Sequence, residues 1–446
     1  MGVRRPLLQS PMGGWVMNKK NFALSGLLLP VLVLILSLTT ITDGNPNNNS
    51  VNWTKLKSFT ERWLNTRSPS NGLRNNTNLG HIRRVGFVDF ARWAKNGSTQ
   101  NGYTIAYDPY QDVDWAWWYR ALAQHHDHMG RLSLDRIRAY DQAGYNVIVP
   151  LDYAGKKSGG SAYCDYRLWP VHQFLSGFNS DQEVLATLNN IRLFIPSMEE
   201  IGRHHITSPF LTTYIELWEP DYYETKQQWQ YETSQQCIDL IDQYGGMAII
   251  AHPTENIDYY VQLQNYKGVE IVNAHYYRML LLEQEYPAQP NYNEHFQAVW
   301  DHLLTYKDTK IWGFAVNDWW GPWRNSDEAY IDSGKIMVIL PAFNMADYRN
   351  SLEKGCFFAI HDWGQPRQNK GRYPMVAAIA ASDYSITIYT DSVVSWIANG
   401  QRIAQGNSIN LIEFPPEMDY KYVRAEISNA YGTVFTQPWT LTVVPE

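Results

Sequence analysis

The segment Gly245-Gly246-Met247-Ala248-Ile249-Ile250-Ala251-His252-Pro253 (GGMAIIAHP) decides the fold. Its two glycines end a helix that Ser234 opens, since glycine accepts the left-handed backbone that follows a last helical turn. The apolar run Met247–Ala251 is too short for a helix and reads as a buried strand, with a histidine directly after it. The same unit recurs upstream. Ser133 caps a helical stretch that ends before Gly144 and feeds the strand Val147–Leu151; Ser180 caps another, followed by Leu193–Pro196. Downstream, strands are expected at Val269–Val272 and Trp312–Val316. A last helix is expected over Met345–Lys354, with Asn344 as its cap, Asp347 at its third position and Gly355 past its end. Helix and strand in strict alternation predict a parallel sheet with crossover helices, for which an α/β barrel is the simplest closed form.

The chemically able residues fall at one place on this map. Asp152, Glu199, His252, Asn273 and Asp318 each stand at or just beyond the C-terminal end of an expected strand. Parallel α/β folds gather those ends on one face, where ligands bind. Any one of the five is an ordinary cap or turn former; together they predict a shared polar site. His125-His126-Asp127-His128 follows YRALAQ, the expected first strand. Residues two apart on a strand share a face, so His126 and His128 can hold one ion while Asp127 points away. Imidazole with carboxylate suits zinc, manganese or iron, and such an ion offers a water of lowered pKa as nucleophile.

The segments AQHHDHMG, AGYNVIVPLDY, FIPSMEEIGRHHIT, GGMAIIAHP, YKGVEIVNA, WGFAVNDWW and LEKGCFFAI follow one another between Trp115 and Ile360. In that order they resemble the polymerase-and-histidinol-phosphatase (PHP) family of metal-dependent hydrolases. The resemblance implies a distorted (β/α)7-type barrel with up to three metal ions. It implies that His126, His128, Glu199 and Asp318 surround one ion, and that Glu199 bridges to a second completed by His205 and His252. Glu200 replaces Glu199 if the register slips by one, and His204 is the alternative to His205, which is preferred because Ile206 follows it as in the family. The departures concern the third ion. MGRLSLD lacks its first ligand, Leu151-Asp152-Tyr153 has tyrosine for histidine, and Asp318-Trp319-Trp320 has tryptophan for histidine. The expectation is a centre of two divalent ions (Zn, Mn or Fe), with Tyr153 and Trp320 filling the space of the lost third. Lys156 and Arg278, with Lys157, are candidates to meet an anionic substrate, although each also reads as an ordinary surface residue. His275 and His361 are left unassigned.

The remainder of the chain sets the context. Its 446 residues carry Lys+Arg 37 against Asp+Glu 44, a net charge of -7, with 18% charged and 14% aromatic residues. That excludes a disordered acidic protein and a coiled coil, and argues against nucleic acid as partner. Cys164, Cys237 and Cys356 are too few and too scattered for a disulfide framework or a cysteine-based zinc site. Residues 22–41 are uncharged and follow Arg4, Arg5, Lys19 and Lys20, which predicts a signal peptide or membrane anchor with the rest of the chain exported. From about Met375 short alternating strands and an Asn399-Gly400 turn predict a β-sandwich. The branch of the family that degrades carbamates and other small esters resembles this too, with a similar C-terminal β domain. The aromatic residues there are read as core rather than as a glycan surface. The expected organisation is a signal or anchor over 1–42, a polar linker and extension over 43–114, the barrel over 115–365 and the sandwich over 372–446. The expected function is hydrolysis of a phosphoester or small ester, outside the cytoplasm, free or membrane-bound through the N-terminal segment. A catalytically impaired relative or extracellular binding protein is the second reading. A metal-free glycan-active enzyme using Glu199 and Asp318 is a third, which leaves His126, His128 and His252 without a purpose.

Overall fold

The computed structural model describes residues 102–129, 132–154, 169–201, 204–213, 215, 231–275, 292–318, 333–362 and 372–444. The described chain opens with β1 (Tyr103–Tyr107) and β2 (Tyr119–His128). Helix α1 (Leu134–Ala143) leads to β3 (Val147–Leu151) and β4 (Tyr153–Ala154). Helix α2 (Asp181–Leu185) precedes β5 (Leu193–Phe194), β6 (Glu199–Ile201) and β7 (His205–Thr207). Then come α3 (Tyr231–Gln243), β8 (Ile249–Ile250), α4 (Ile257–Gln262) and β9 (Gly268–Asn273). Helix α5 (Tyr292–Tyr306), β10 (Trp312–Val316), β11 (Gly334–Leu340), α6 (Met345–Glu353) and β12 (Phe357–Asp362) follow. Next are β13 (Ala378–Ser382), β14 (Ser385–Tyr389), β15 (Val393–Ala398) and β16 (Gln401–Gln405). The chain closes with β17 (Ser408–Asn410), β18 (Tyr422–Asn429), β19 (Gly432–Thr436) and β20 (Trp439–Val443).

Local chemistry explains the helix ends. Ser133 is extended and its hydroxyl accepts from Arg136 N, while Gly144 takes φ 90 beyond the last turn of α1. Ser180 and Asn344 accept in the same way from Glu183 N and Asp347 N. Each satisfies an amide that the first helical turn leaves without a carbonyl partner, worth about 1 kcal/mol. Ser234 does not act as a cap: α3 starts at Tyr231, and Ser234 lies buried inside it. The Asn399-Gly400 pair, with φ 49 and 72, forms the turn between β15 and β16. Trp396 and Trp439 are fully buried, so these aromatics of the C-terminal strands serve as core.

The sheets are mixed rather than parallel. Strands β2, β3 and β5 run parallel, as do β8, β9 and β10. However, β6 and β7 pair antiparallel across the short connection 202–204, and β7 meets β8 antiparallel. A connection of that length returns the chain as a hairpin, whereas parallel neighbours need a crossover. Strand β11 also runs antiparallel to both β2 and β12. The expected closed barrel does not form as a continuous ladder among the described residues. One path runs β1-β20-β18-β19-β12-β11-β2-β3-β5, and a separate six-stranded sheet runs β10-β9-β8-β7-β6-β4. Only Asp152 separates β3 from β4, and β5 continues through 195–198 into β6, so the same chain passes between the sheets on one side. On the other side Asp318 N donates to His126 O (2.7 Å). There Gly334 lets β11 approach β10 closely: a Cβ would lie 2.0 Å from Val316 O.

Within the range 43–114, expected as linker and extension, β1 pairs antiparallel with β20 at the far end of the chain. The C-terminal strands are tied to the α/β part by the β12–β19 ladder. One core lies between the six-stranded sheet and its helices, with Ile238, Ile241, Ile250, Val269, Trp300 and Leu303 fully buried. Cys237 and Cys356 are buried, and Cys164 lies outside the described residues. No helix among the described residues is long and apolar enough to cross a membrane; the hydrophobic segment 22–41 lies outside them.

Candidate metal centre

Strand ends from both sheets deliver six of the expected residues to one buried cluster. His126 and His128 lie two apart at the end of β2, with ring centroids 5.3 Å apart. Glu199, the first residue of β6, points its two oxygens at different partners. Oε2 lies 3.2 Å from His126 Nε2 and 3.0 Å from His128 Nε2. Oε1 lies 2.6 Å from His205 Nδ1 and 3.5 Å from His252 Nε2. Two groups of candidate ligands therefore share Glu199: His126 and His128 on one side, His205 and His252 on the other, with ligand atoms within 4.8 Å of one another in each group. Asp318 Oδ1 joins the first, 3.5 Å from His126 Nε2 and 3.3 Å from His128 Nε2.

The adjacent alternatives separate. His205 faces Glu199, whereas His204 turns its Nδ1 to the Tyr260 hydroxyl (3.3 Å) and packs on Tyr259. Two of the six residues hold left-handed backbone, His252 at φ 26 and Asp318 at φ 53. For a non-glycine residue that costs on the order of 1–3 kcal/mol, sustained only where surrounding bonds fix it. Here the fixing bonds are Asp318 N to His126 O and His252 N to a Glu270 carboxylate oxygen (2.7 Å).

The donor set fits divalent cations. His126 Nε2, both Glu199 oxygens and Asp318 Oδ1 are buried and make no hydrogen bond of proper geometry, despite their mutual approach. Buried polar atoms left so are costly unless something else meets them. Charge accumulates to match. Burial opposes a charge on His126, yet the pull of Asp318, Glu199 and Glu270 outweighs it and raises the imidazole well above its ordinary range. His128 and His252 are raised against burial in the same manner, with Glu199 foremost among their partners. Conversely, burial would lift Glu199 and Asp318, but the facing histidines hold both well below the usual carboxylate range. Without an ion the cluster holds protons on imidazole opposite carboxylate; a divalent cation takes the place of those protons.

A further shell of residues supports the cluster; the sequence placed Asp152 and Asn273 at the shared site but did not single out Glu270 or Gln124. Glu270 Oε1 lies 2.6 Å from His126 Nδ1, and Asp152 Oδ1 lies 3.4 Å from His128 Nδ1. Each histidine of the pair thus has a carboxylate behind its distal nitrogen. Asn273 Nδ2 bridges Glu270 Oε2 (3.0 Å) and Asp318 Oδ2 (3.1 Å). Gln124 clamps the rim: its Oε1 accepts from His125 N, His126 N and Asn317 N, and its Nε2 donates to Gly334 O. A signal for Glu270 was present in the strand GVEIVN, whose only charge sits among residues that are all buried.

Lys156, Lys157, Arg278 and Trp320 lie outside the described residues. Tyr153 is placed by its backbone in β4, opposite Glu199. His361 lies on β12, and burial depresses its pKa to about 4. His275 N is held by Asn317 O and Asn273 Oδ1 at the end of β9.

No family model and no curated protein matches the chain. Among solved structures it is similar to a two-domain protein from Bacteroides vulgatus containing a predicted PHP-like metal-dependent phosphoesterase. The identity is 14%, with 77% of this chain and 92% of that one covered at a TM-score of 0.35. A likeness that distant decides nothing about activity, which rests on the cluster itself.

Proposed function

We propose that the protein is a PHP-type metal-dependent hydrolase acting on a phosphoester or related small ester. One observation carries the reading: a fully buried carboxylate, Glu199, directs each of its oxygens at a separate pair of histidines. His126, His128, Asp318 and Glu199 would hold one divalent ion, and His205, His252 and Glu199 the second. Such a pair supplies a water of lowered pKa and Lewis acidity toward the substrate's oxygens. The chain's own part is to keep the imidazoles unprotonated when loaded, to exclude bulk water from the ligand atoms, and to hold ligands from different strands in fixed register. In this reading the two sheets form a heavily distorted barrel whose strand ends converge on the centre, and the C-terminal strands make a β-sandwich beside it. Export, with or without an anchor over 22–41, and a small-molecule substrate complete the proposal.

The replacement of family histidines by Tyr153 and Trp320 favours a second reading, a centre that binds ions but turns over slowly or not at all. Elemental analysis of the purified chain, with a panel of phosphate monoesters, diesters and carboxyl esters, separates the two. The hydrolase reading expects chelator-sensitive turnover that His126→Ala and His252→Ala abolish. Bound metal without turnover of any ester would leave the second reading standing, and activity indifferent to chelator would overturn both.

A further inference from the structure

We propose that Glu270 is a positioning residue that couples the two halves of the centre, an inference that rests on the two-metal reading above. Its carboxylate is 1% exposed in a strand with no other charge. Such a group is expensive to bury and must be matched by donors. The donors are all members or supports of the centre. Oε1 meets His126 Nδ1 at 2.6 Å, while Oε2 accepts from His252 N at 2.7 Å and Asn273 Nδ2 at 3.0 Å. His126 belongs to one ligand pair and His252 to the other, and Asn273 extends the link to Asp318 Oδ2. No lysine or arginine is among these partners.

Two consequences follow from the chemistry of the contacts. A carboxylate only accepts, so His126 must present Nδ1–H to it, leaving Nε2, on the Glu199 side, as the nitrogen that would ligate an ion in place of its own proton. The bond to His252 N also holds the left-handed backbone that aims that ring into the second pair. Glutamine at this position has the same shape but one acceptor oxygen. If that oxygen faces His252 N, the amide NH2 faces His126 Nδ1 and drives the proton to Nε2, the wrong tautomer for ligation. If it faces His126, the NH2 opposes the His252 amide. Either arrangement spoils one half.

The test uses the full chain, stripped with chelator and titrated with Zn2+ against a competing chelator. Wild type, Glu270→Gln and Asn273→Ala are compared, together with the thermal midpoint of each stripped protein and the ring 15N shifts of His126 in the zinc-loaded form. The expected result for Glu270→Gln is an affinity about 10–100-fold weaker, the effect typical of removing an outer partner of a ligating histidine. Its His126 shifts should leave the pattern of Nδ1–H with a ligated Nε2. A merely structural role would lower the stripped protein's midpoint without moving those shifts or the affinity. If Glu270→Gln fails to fold, Asn273→Ala decides: weaker zinc binding supports the coupling, and unchanged binding overturns it. Wild-type affinity and wild-type shifts in folded Glu270→Gln would overturn the role of Glu270 alone. Failure of the wild type to bind zinc would overturn the two-metal reading itself.

Discussion

Replacing Asp301 on α5 by alanine should be among the most damaging single changes away from the metal centre. Asp301 accepts from Arg424 Nε at 2.7 Å, from Arg424 Nη2 at 2.8 Å and from the Tyr422 hydroxyl at 2.7 Å. Arg424 on β18 is 2% exposed and lies over the Trp300 ring. Burial disfavours the guanidinium charge, but Asp301 more than compensates and raises its pKa further. At 2.7 Å and an effective dielectric of 20 the pair attracts by about 6 kcal/mol before desolvation. Removing one partner of such a buried pair costs about 3–5 kcal/mol, because the other charge stays behind. Glu426 Oε1, 2.7 Å from Arg424 Nη1, remains as partial compensation, so the lower end of that range is expected. In thermal terms the loss is roughly 3–5 °C for a chain of this length. The assay is calorimetric or denaturant unfolding of wild type, Asp301→Ala, and the double replacement Asp301→Leu with Arg424→Met. The double variant removes both charges and should recover most of the stability. Loss below about 1 kcal/mol in Asp301→Ala, or a double variant as damaged as the single, would refute the account of an uncompensated buried charge. The consequence reaches the site, since α5 also carries Asn293, whose side chain accepts from Asn273 N.

Glu199→Gln keeps the side chain's shape but can present an acceptor to only one histidine pair, so zinc bound per chain should fall from two ions to one or none by elemental analysis. Saturating Mn2+ at about 100 times its Kd should raise the stability of the stripped protein by about 2.7 kcal/mol per occupied site, reversed by chelator; an unchanged midpoint would contradict the centre. Gly334→Ala places a Cβ 2.0 Å from Val316 O, forcing β11 from β10 beside Asp318, and should cost about 1–3 kcal/mol or more in denaturant titrations. His361 has a folded pKa of about 4, below the ordinary 6.5, because burial favours the neutral ring. Its contribution is complete above pH 6.5 and is lost as pH falls toward 4, about 3 kcal/mol in all. The stability difference between wild type and the non-titrating His361→Gln should therefore shift against wild type across that window, and parallel pH profiles would count against it.

Much of the local structure was written in neighbouring residues. Ser133, Ser180 and Asn344 announce helix starts because a hydroxyl or amide oxygen can reach an amide two or three positions on, whatever the surrounding fold. Uninterrupted apolar runs such as Val147–Leu151 and Trp312–Val316 mark strands covered on both faces. Polar residues at the ends of those runs gave His126, His128, Glu199, His252 and Asp318 as members of one site. His205 came by a different route, through its motif. Sequence alone left open Glu199 against Glu200 and His204 against His205, because a shift of one residue on a strand exchanges its faces. Only the tertiary structure turned His205 to Glu199 and His204 to Tyr260. It also decided strand direction, set by the lengths and paths of connections rather than by strand composition. The β1–β20 ladder, the Asp301–Arg424 pair and the carboxylate of Glu270 behind His126 unite positions far apart along the chain. Nothing near either partner encodes such a contact; it exists only once the intervening sheets have packed.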